Sequence, residues 1–199
     1  MTDPLKTIDY KGYKIIIDYD PSPDCPREWA DISTLYSNSR RYDFDGHSIE
    51  ELIQEVGGDV YDDVIPWDLI EKKYYYRKVW MYDHSGVCLK TGENNPWGNM
   101  GYMSWDSGLY GVIVVDKKTA KKEWGEDAQE RAEKWLDGEI EDLNIWARGE
   151  IYGYVVENAD GEEIDSCWGF YDLDECIGEA EGMVDYDFEV QEKVVQAEA

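Results

Sequence analysis

Asp116 and Lys118 close the apolar run VIVVD, and Asp106 stands ten residues before Asp116. Two carboxylates and a lysine in that order are the set a metal-dependent nuclease needs: the acids would hold Mg²⁺ and the lysine would steady the attacking water. The competing reading is that Asp116 caps the lysine-rich helix that follows. Asp83-His84-Ser85 contains the residue types of a hydrolase triad, but strand neighbours point to opposite faces and no GxSxG elbow accompanies them. Asp18, Asp20, Ser22 and Asp24 match the first odd positions of a calcium loop, yet Pro23 replaces the required glycine and Trp29 the closing acid. A zinc site from His84, Cys88, Cys167 and Cys176 lacks any CxxC spacing, so these cysteines, with Cys25, are expected as reduced and mostly buried thiols. No cofactor or metal is expected.

The charge carries more information than any of these sets. Across 199 residues, 46 Asp and Glu oppose 19 Lys and Arg, a net charge of −27. That excess costs stability through self-repulsion and disfavours contact with nucleic acid or anionic lipid, which weakens the nuclease reading further. Aromatic content is too high for a disordered acidic tail, with 9 Trp, 16 Tyr and 3 Phe. No stretch approaches the roughly 18 to 20 apolar residues of a membrane span, and MTDPLKTIDYKG lacks the apolar centre of a signal peptide. A cytoplasmic location without membrane contact is the expectation.

Positioning of these residues falls to hairpins and amphipathic helices. Thr7 to Asp20 alternates around Lys11-Gly12 as a β-hairpin. Ser48 and Glu51 form a capping box ahead of Ile49, Leu52, Ile53 and Val56. Tyr74 to Asp83 and Leu109 to Asp116 read as strands flanking a long Gly-, Asn- and Trp-rich loop, and Lys117 to Asp137 as one helix. Gly149 to Asp172 reads as a hairpin turning at Asn158 to Gly161, with Ile164, Ser166, Trp168 and Phe170 facing inward. A helix capped by Asp172 follows, and the end of the chain is expected to fray. The sum is an α+β fold, a mainly antiparallel sheet built from hairpins with amphipathic helices on one face. We read a single domain: an N-terminal hairpin and short helix over 1–70, the main sheet and helices over 71–185, and a tail over 186–199.

The acids are unevenly placed. From Gly149 to Glu192 there are fifteen and no Lys or Arg, whereas Lys72, Lys73, Arg77, Lys78, Lys117, Lys118, Lys121 and Lys122 gather eight of the nineteen basic residues. Like charges three or four apart on a helix repel, and ordinary helices relieve this with interspersed lysine. The hairpin and helix instead present Asp160, Glu162, Glu163, Asp165, Asp172, Asp174, Glu175, Glu179, Glu181, Asp185, Asp187 and Glu189. Such rows imitate part of the phosphate array of duplex DNA and would attract a protein that grips DNA through Lys and Arg. A second candidate surface is the aromatic loop, where Trp97, Tyr102 and Trp105 suit stacking or anchoring of a partner.

MYDHSG at Met81 to Gly86, WDSGLYGVIVV at Trp105 to Val115 and GEIYGYVVENADGEEIDSCWGFYD at Gly149 to Asp172 resemble a set of small uncharacterised acidic proteins of phages and mobile elements. These motifs imply origin and transfer no catalytic role. By charge alone the chain is similar in kind to antirestriction and anti-CRISPR inhibitors that mimic DNA. The resemblance implies a non-enzymatic anti-defence inhibitor. Its expected partner is a basic nucleic-acid-binding host protein or nuclease complex, for which it competes with nucleic acid; a homodimer is also compatible. The alternatives are the nuclease built on Asp106, Asp116 and Lys118 and an interaction module using the aromatic loop.

Overall fold

The computed structural model describes residues 3–39, 41–61 and 64–198, with side chains described to Lys193. In chain order its elements are β1 (Lys6–Tyr10), β2 (Tyr13–Tyr19), β3 (Thr34–Ser37), β4 (His47–Ser48), α1 (Ile49–Glu55), α2 (Trp67–Lys73), β5 (Tyr74–Asp83), β6 (Val87–Thr91), β7 (Ser107–Asp116), α3 (Lys117–Trp124), α4 (Ala128–Ala147), β8 (Tyr152–Glu157), β9 (Glu163–Phe170) and α5 (Leu173–Glu198). The fold is α+β with two mainly antiparallel sheets. The chain divides into two compact units, one made of residues 1–24 and 149–199 and the other of residues 25–148.

In the first unit the sheet order is β1-β2-β8-β9. Lys11 and Gly12 take φ of 51° and 85°, the left-handed pair that a two-residue hairpin turn requires. β2 then pairs antiparallel with β8, so the N-terminal hairpin joins the C-terminal hairpin rather than the helix at Ser48. Helix α5 starts where Asp172 Oδ1 accepts the Glu175 amide at 2.9 Å. It lays Cys176, Ala180 and Val184 onto Tyr13, Ile15, Ile17, Tyr154 and Val156, all buried. The helix continues to Glu198, through the tail expected to fray.

β9 departs from the predicted alternation. The register with β8 shifts between Tyr152 and Gly153, so that Tyr152 faces Phe170 while Gly153 faces Trp168, leaving Gly169 unpaired. Such a bulge reverses the side-chain phase on either side of it. Asp165 and Cys167 therefore lie opposite the core-facing Val156 and Tyr154, and Trp168 is 43% exposed rather than buried. Its ring covers Gly153, where a Cβ would come within 2.1 Å of Trp168 Cε3. Cys167 is exposed, against the expectation of mostly buried thiols; Cys176 is the buried one, its thiol pushed up to about 11 chiefly by burial.

The second unit holds a five-stranded sheet, β4-β3-β7-β5-β6, antiparallel except for the β3–β4 pair. Strand β7 is buried from Tyr110 to Val115. Ile113 and Val115 pack with α3 and α4, and Val112 and Val114 with α1 and α2. A strand covered on both sides reads as a continuous apolar run instead of an alternation. The single helix predicted over 117–137 is two: Gly125 at φ 66° ends α3, and α4 runs on to Ala147 with Ala132, Leu136, Ile140 and Leu143 buried at helical spacing.

Below α1, Glu55 accepts hydrogen bonds from Tyr36 Oη (2.9 Å), Tyr74 Oη (2.7 Å) and Lys73 Nζ (2.8 Å). Lys73 first, then Tyr74, holds the Glu55 carboxyl below its ordinary value. A carboxylate with a lowered folded-state pKa adds stability at neutral pH that is lost as pH falls through that lowered value. Glu55 is exposed and its interactions are screened by solvent, so Glu55→Gln should destabilise the protein by about 0.5–1 kcal/mol at pH 7, with the difference from the parent shrinking below the normal carboxylate range. Denaturant unfolding at pH 7 and pH 3 checks this; a difference unchanged between the two would contradict it.

Candidate interaction surface

The predicted acidic face lies entirely in the first unit, where 21 Asp and Glu oppose 4 Lys, a net charge of −17. Its side chains fall into three groups. The first pairs with cations: Asp185 with Lys11 at 3.0 Å and Glu189 with Lys193 at 3.6 Å. Lys11 also holds the Asp185 carboxyl below its ordinary value.

The second group is held by neutral donors. Tyr13 Oη donates to Asp187 at 2.7 Å and Tyr154 Oη to Asp165 at 3.1 Å. Ser166 Oγ donates to Glu163 at 2.9 Å, Asn158 Nδ2 to Glu162 at 3.1 Å, and the Glu175 amide to Asp172. Burial and then the Asp187 bond push Tyr13 up to about 12. Tyr154 is raised as well, by burial first, then by Asp165, with Glu179 adding to the negative field. Both phenols thus remain protonated donors at neutral pH. A carboxylate bonded to a phenol is fixed in position and keeps its full charge, whereas one bonded to lysine presents a dipole.

The third group is Asp160, Asp174, Glu175, Glu179 and Glu181. Among the described residues none of these side chains is in an ion pair or accepts a side-chain hydrogen bond. Asp174 and Glu175 lie in the first turn of α5, where the helix's positive end favours them. Glu179 and Glu181 have no such support. From Asp174 to Glu189 the helix carries seven acids over about 22 Å at about 1.5 Å per residue, one per roughly 3 Å. One strand of duplex DNA presents a phosphate per about 3.4 Å of axis.

The aromatic loop belongs to the second unit and is divided. Trp97 is buried and stacks on Tyr82, with centroids 5.8 Å apart, so it anchors the loop and does not display itself. Tyr102 and Trp105 are 74% and 88% exposed.

The predicted nuclease set is not assembled. Asp106 and Asp116 stand at opposite ends of β7, roughly 30 Å apart at about 3.3 Å per residue, so they cannot share an ion. Asp116 Oδ1 instead accepts the Lys118 and Thr119 amides at 2.8 and 3.3 Å and caps α3, while Asp106 Oδ2 lies 3.1 Å from His84 Nδ1. Among the described residues no three His, Cys, Asp or Glu are grouped to hold a metal ion, and no helix is long and apolar enough to cross a membrane.

The tyrosine donors are the part of this surface that sequence reasoning missed. Tyr13 and Tyr154 are buried in the structure, and which acids their hydroxyls reach depends on the register of β2, β8 and β9 and on the rotation of α5. No protein-family model, curated protein or solved structure matches this chain.

Proposed function

We propose that the chain is a non-enzymatic inhibitor of the antirestriction or anti-CRISPR kind, which binds the basic nucleic-acid-binding surface of a host nuclease complex. Its acidic hairpin and α5 stand in for phosphates and compete with nucleic acid. The observation that carries this reading is the way the acids are held. Asp165 and Asp187 are fixed by phenols, and Glu179 and Glu181 have no cation beside them among the described residues, so the face is ordered without being neutralised. A face kept acidic only for solubility has no need of such fixing. Fixed charges also lose little side-chain entropy on binding, which favours affinity.

Tyr154→Phe tests the fixing directly. It should cost about 0.5–1.5 kcal/mol of stability and weaken partner binding several-fold while leaving net charge unchanged. Unaltered binding would show that Asp165 needs no positioning.

The exposure of Tyr102 and Trp105 favours a second reading, in which the loop makes the contact and the charge serves solubility. The joint variant Tyr102→Ala/Trp105→Ala separates the two. Under the acidic-face reading it leaves partner binding intact and changes stability by no more than about 0.5 kcal/mol, as exposed substitutions do. Loss of binding in this variant would transfer the function to the loop.

A further inference from the structure

The second unit contains a basic cavity at the junction of α1, α2 and the start of α3. The space measures about 450 Å³, has Val56 and Leu69 on its apolar side, and is rimmed by Lys72, Lys73, Lys117 and Lys118. Two carboxylates also line it, Glu55 and Asp116, and both are engaged: Glu55 by Lys73 and two tyrosines, Asp116 by the first amides of α3. The lining therefore carries four positive charges against two negative ones, within a chain of net charge −27.

Folding accounts for these lysines only in part: Lys72 and Lys73 stand in the last turn of α2, where the macrodipole favours a cation. Lys117 and Lys118 open α3, the end of a helix where a cation is disfavoured by the macrodipole. Lys121 and Lys122 follow at i,i+4 from them, a like-charge spacing that costs about 0.2–0.5 kcal/mol per pair. Lys118 has no ion pair among the described residues, Lys117 rests 5.0 Å over the Tyr75 ring, and Lys72 reaches only the exposed Asp68 at 3.6 Å. In a molecule with so many acids, an unpaired Lys118 beside a weakly paired Lys72 and a Lys117 that meets only a ring leaves positive charge around one cavity.

We infer that this cavity binds a small phosphorylated ligand of nucleotide size, its phosphates met by Lys72, Lys117 and Lys118 and its less polar part lying against Val56 and Leu69. The volume falls within the range of roughly 300–1,000 Å³ usual for small-molecule sites. A polynucleotide is the poorer occupant, because it would bring an extended negative chain to a protein that repels it. The site is independent of the acidic face and stands or falls without it.

Titration calorimetry on the full chain, with ADP, adenosine, inorganic pyrophosphate and a short single-stranded RNA as probes, tests the inference. ADP should bind at least tenfold more tightly than adenosine. The joint variant Lys117→Gln/Lys118→Gln should weaken ADP binding at least tenfold, while Lys134→Gln, on α4, leaves it unchanged. Should the joint variant misfold, protection of Lys117 and Lys118 from acetylation by ADP in the parent protein gives the same information. No ADP or pyrophosphate binding at millimolar concentration, equal weakening by Lys134→Gln, or RNA binding more tightly than ADP would each overturn it.

Discussion

Arg27→Met should lower the stability of the second unit by about 3–5 kcal/mol, the loss expected when one member of a buried charge network is removed. Arg27 is 6% exposed. Its guanidinium meets Asp45 through two bonds of 2.8 and 2.7 Å, reaches Ser33 Oγ at 3.1 Å and the Ser33 carbonyl at 3.3 Å, and bonds Glu139 of α4. Asp45 Oδ2 in turn accepts the Leu35 amide that begins the buried part of β3. Methionine fills much of the volume but leaves two largely buried carboxylates facing each other without a cation. The expected consequence is a fall in Tm of roughly 10–20 °C for a unit of this size, read by thermal unfolding at pH 7. Lysine should not restore it, because a single ammonium cannot make the paired contacts of the guanidinium fork. A fall of less than about 1 kcal/mol would mean that the network does not tie α4 to β3.

Neutralising four acids, Asp160→Asn, Glu163→Gln, Glu179→Gln and Glu181→Gln, should move stability and binding in opposite directions. None of these side chains caps a helix, and Asp174 and Glu175 are kept because they favour the start of α5. Glu179 stands four residues from Glu175, and Glu181 four from Asp185, spacings at which like charges repel by about 0.2–0.5 kcal/mol each. The variant should therefore be more stable at low salt, by roughly 0.5–1 kcal/mol, with the gain vanishing near 1 M salt where the Debye length is about 3 Å. Exposed charge pairs contribute about 0.2–1 kcal/mol each, so partner affinity should fall by roughly 1–4 kcal/mol and depend less on salt. A protein that becomes more stable when it loses activity has kept those charges for binding. Lower stability with unchanged binding would assign the four acids to the fold.

Local signals were the legible ones. The Lys11-Gly12 turn, the Ser48–Glu51 capping box and the caps at Asp116 and Asp172 each depend on a few neighbouring residues, and each forms as the residues imply. Pairing of β2 with β8 joins residues more than 130 positions apart, and nothing in a strand's own pattern selects so distant a partner. The reversal of Trp168 follows from one unpaired residue, Gly169, and the two-helix form of 117–147 from one glycine, Gly125. The helix expected to end at Asp137 runs on, because Ile140 and Leu143 continue the buried stripe of α4. For the candidate surface, the acids themselves were legible from composition. Their division into cation-paired, phenol-held and unpartnered groups was not, because it is set by the tertiary placement of Tyr13, Tyr154 and Lys11.

The central claim, that the acidic face takes the place of nucleic acid on a basic partner, is tested most directly by affinity chromatography on the immobilised full chain. A lysate of the natural host is loaded at low salt, and the column is eluted first with duplex DNA and then with a salt gradient. The account predicts that nucleic-acid-binding proteins are retained, are released by duplex DNA before the salt step, and are not retained by the chain carrying the four neutralising substitutions. Retention that DNA fails to release, or equal retention by the neutralised chain, would contradict it.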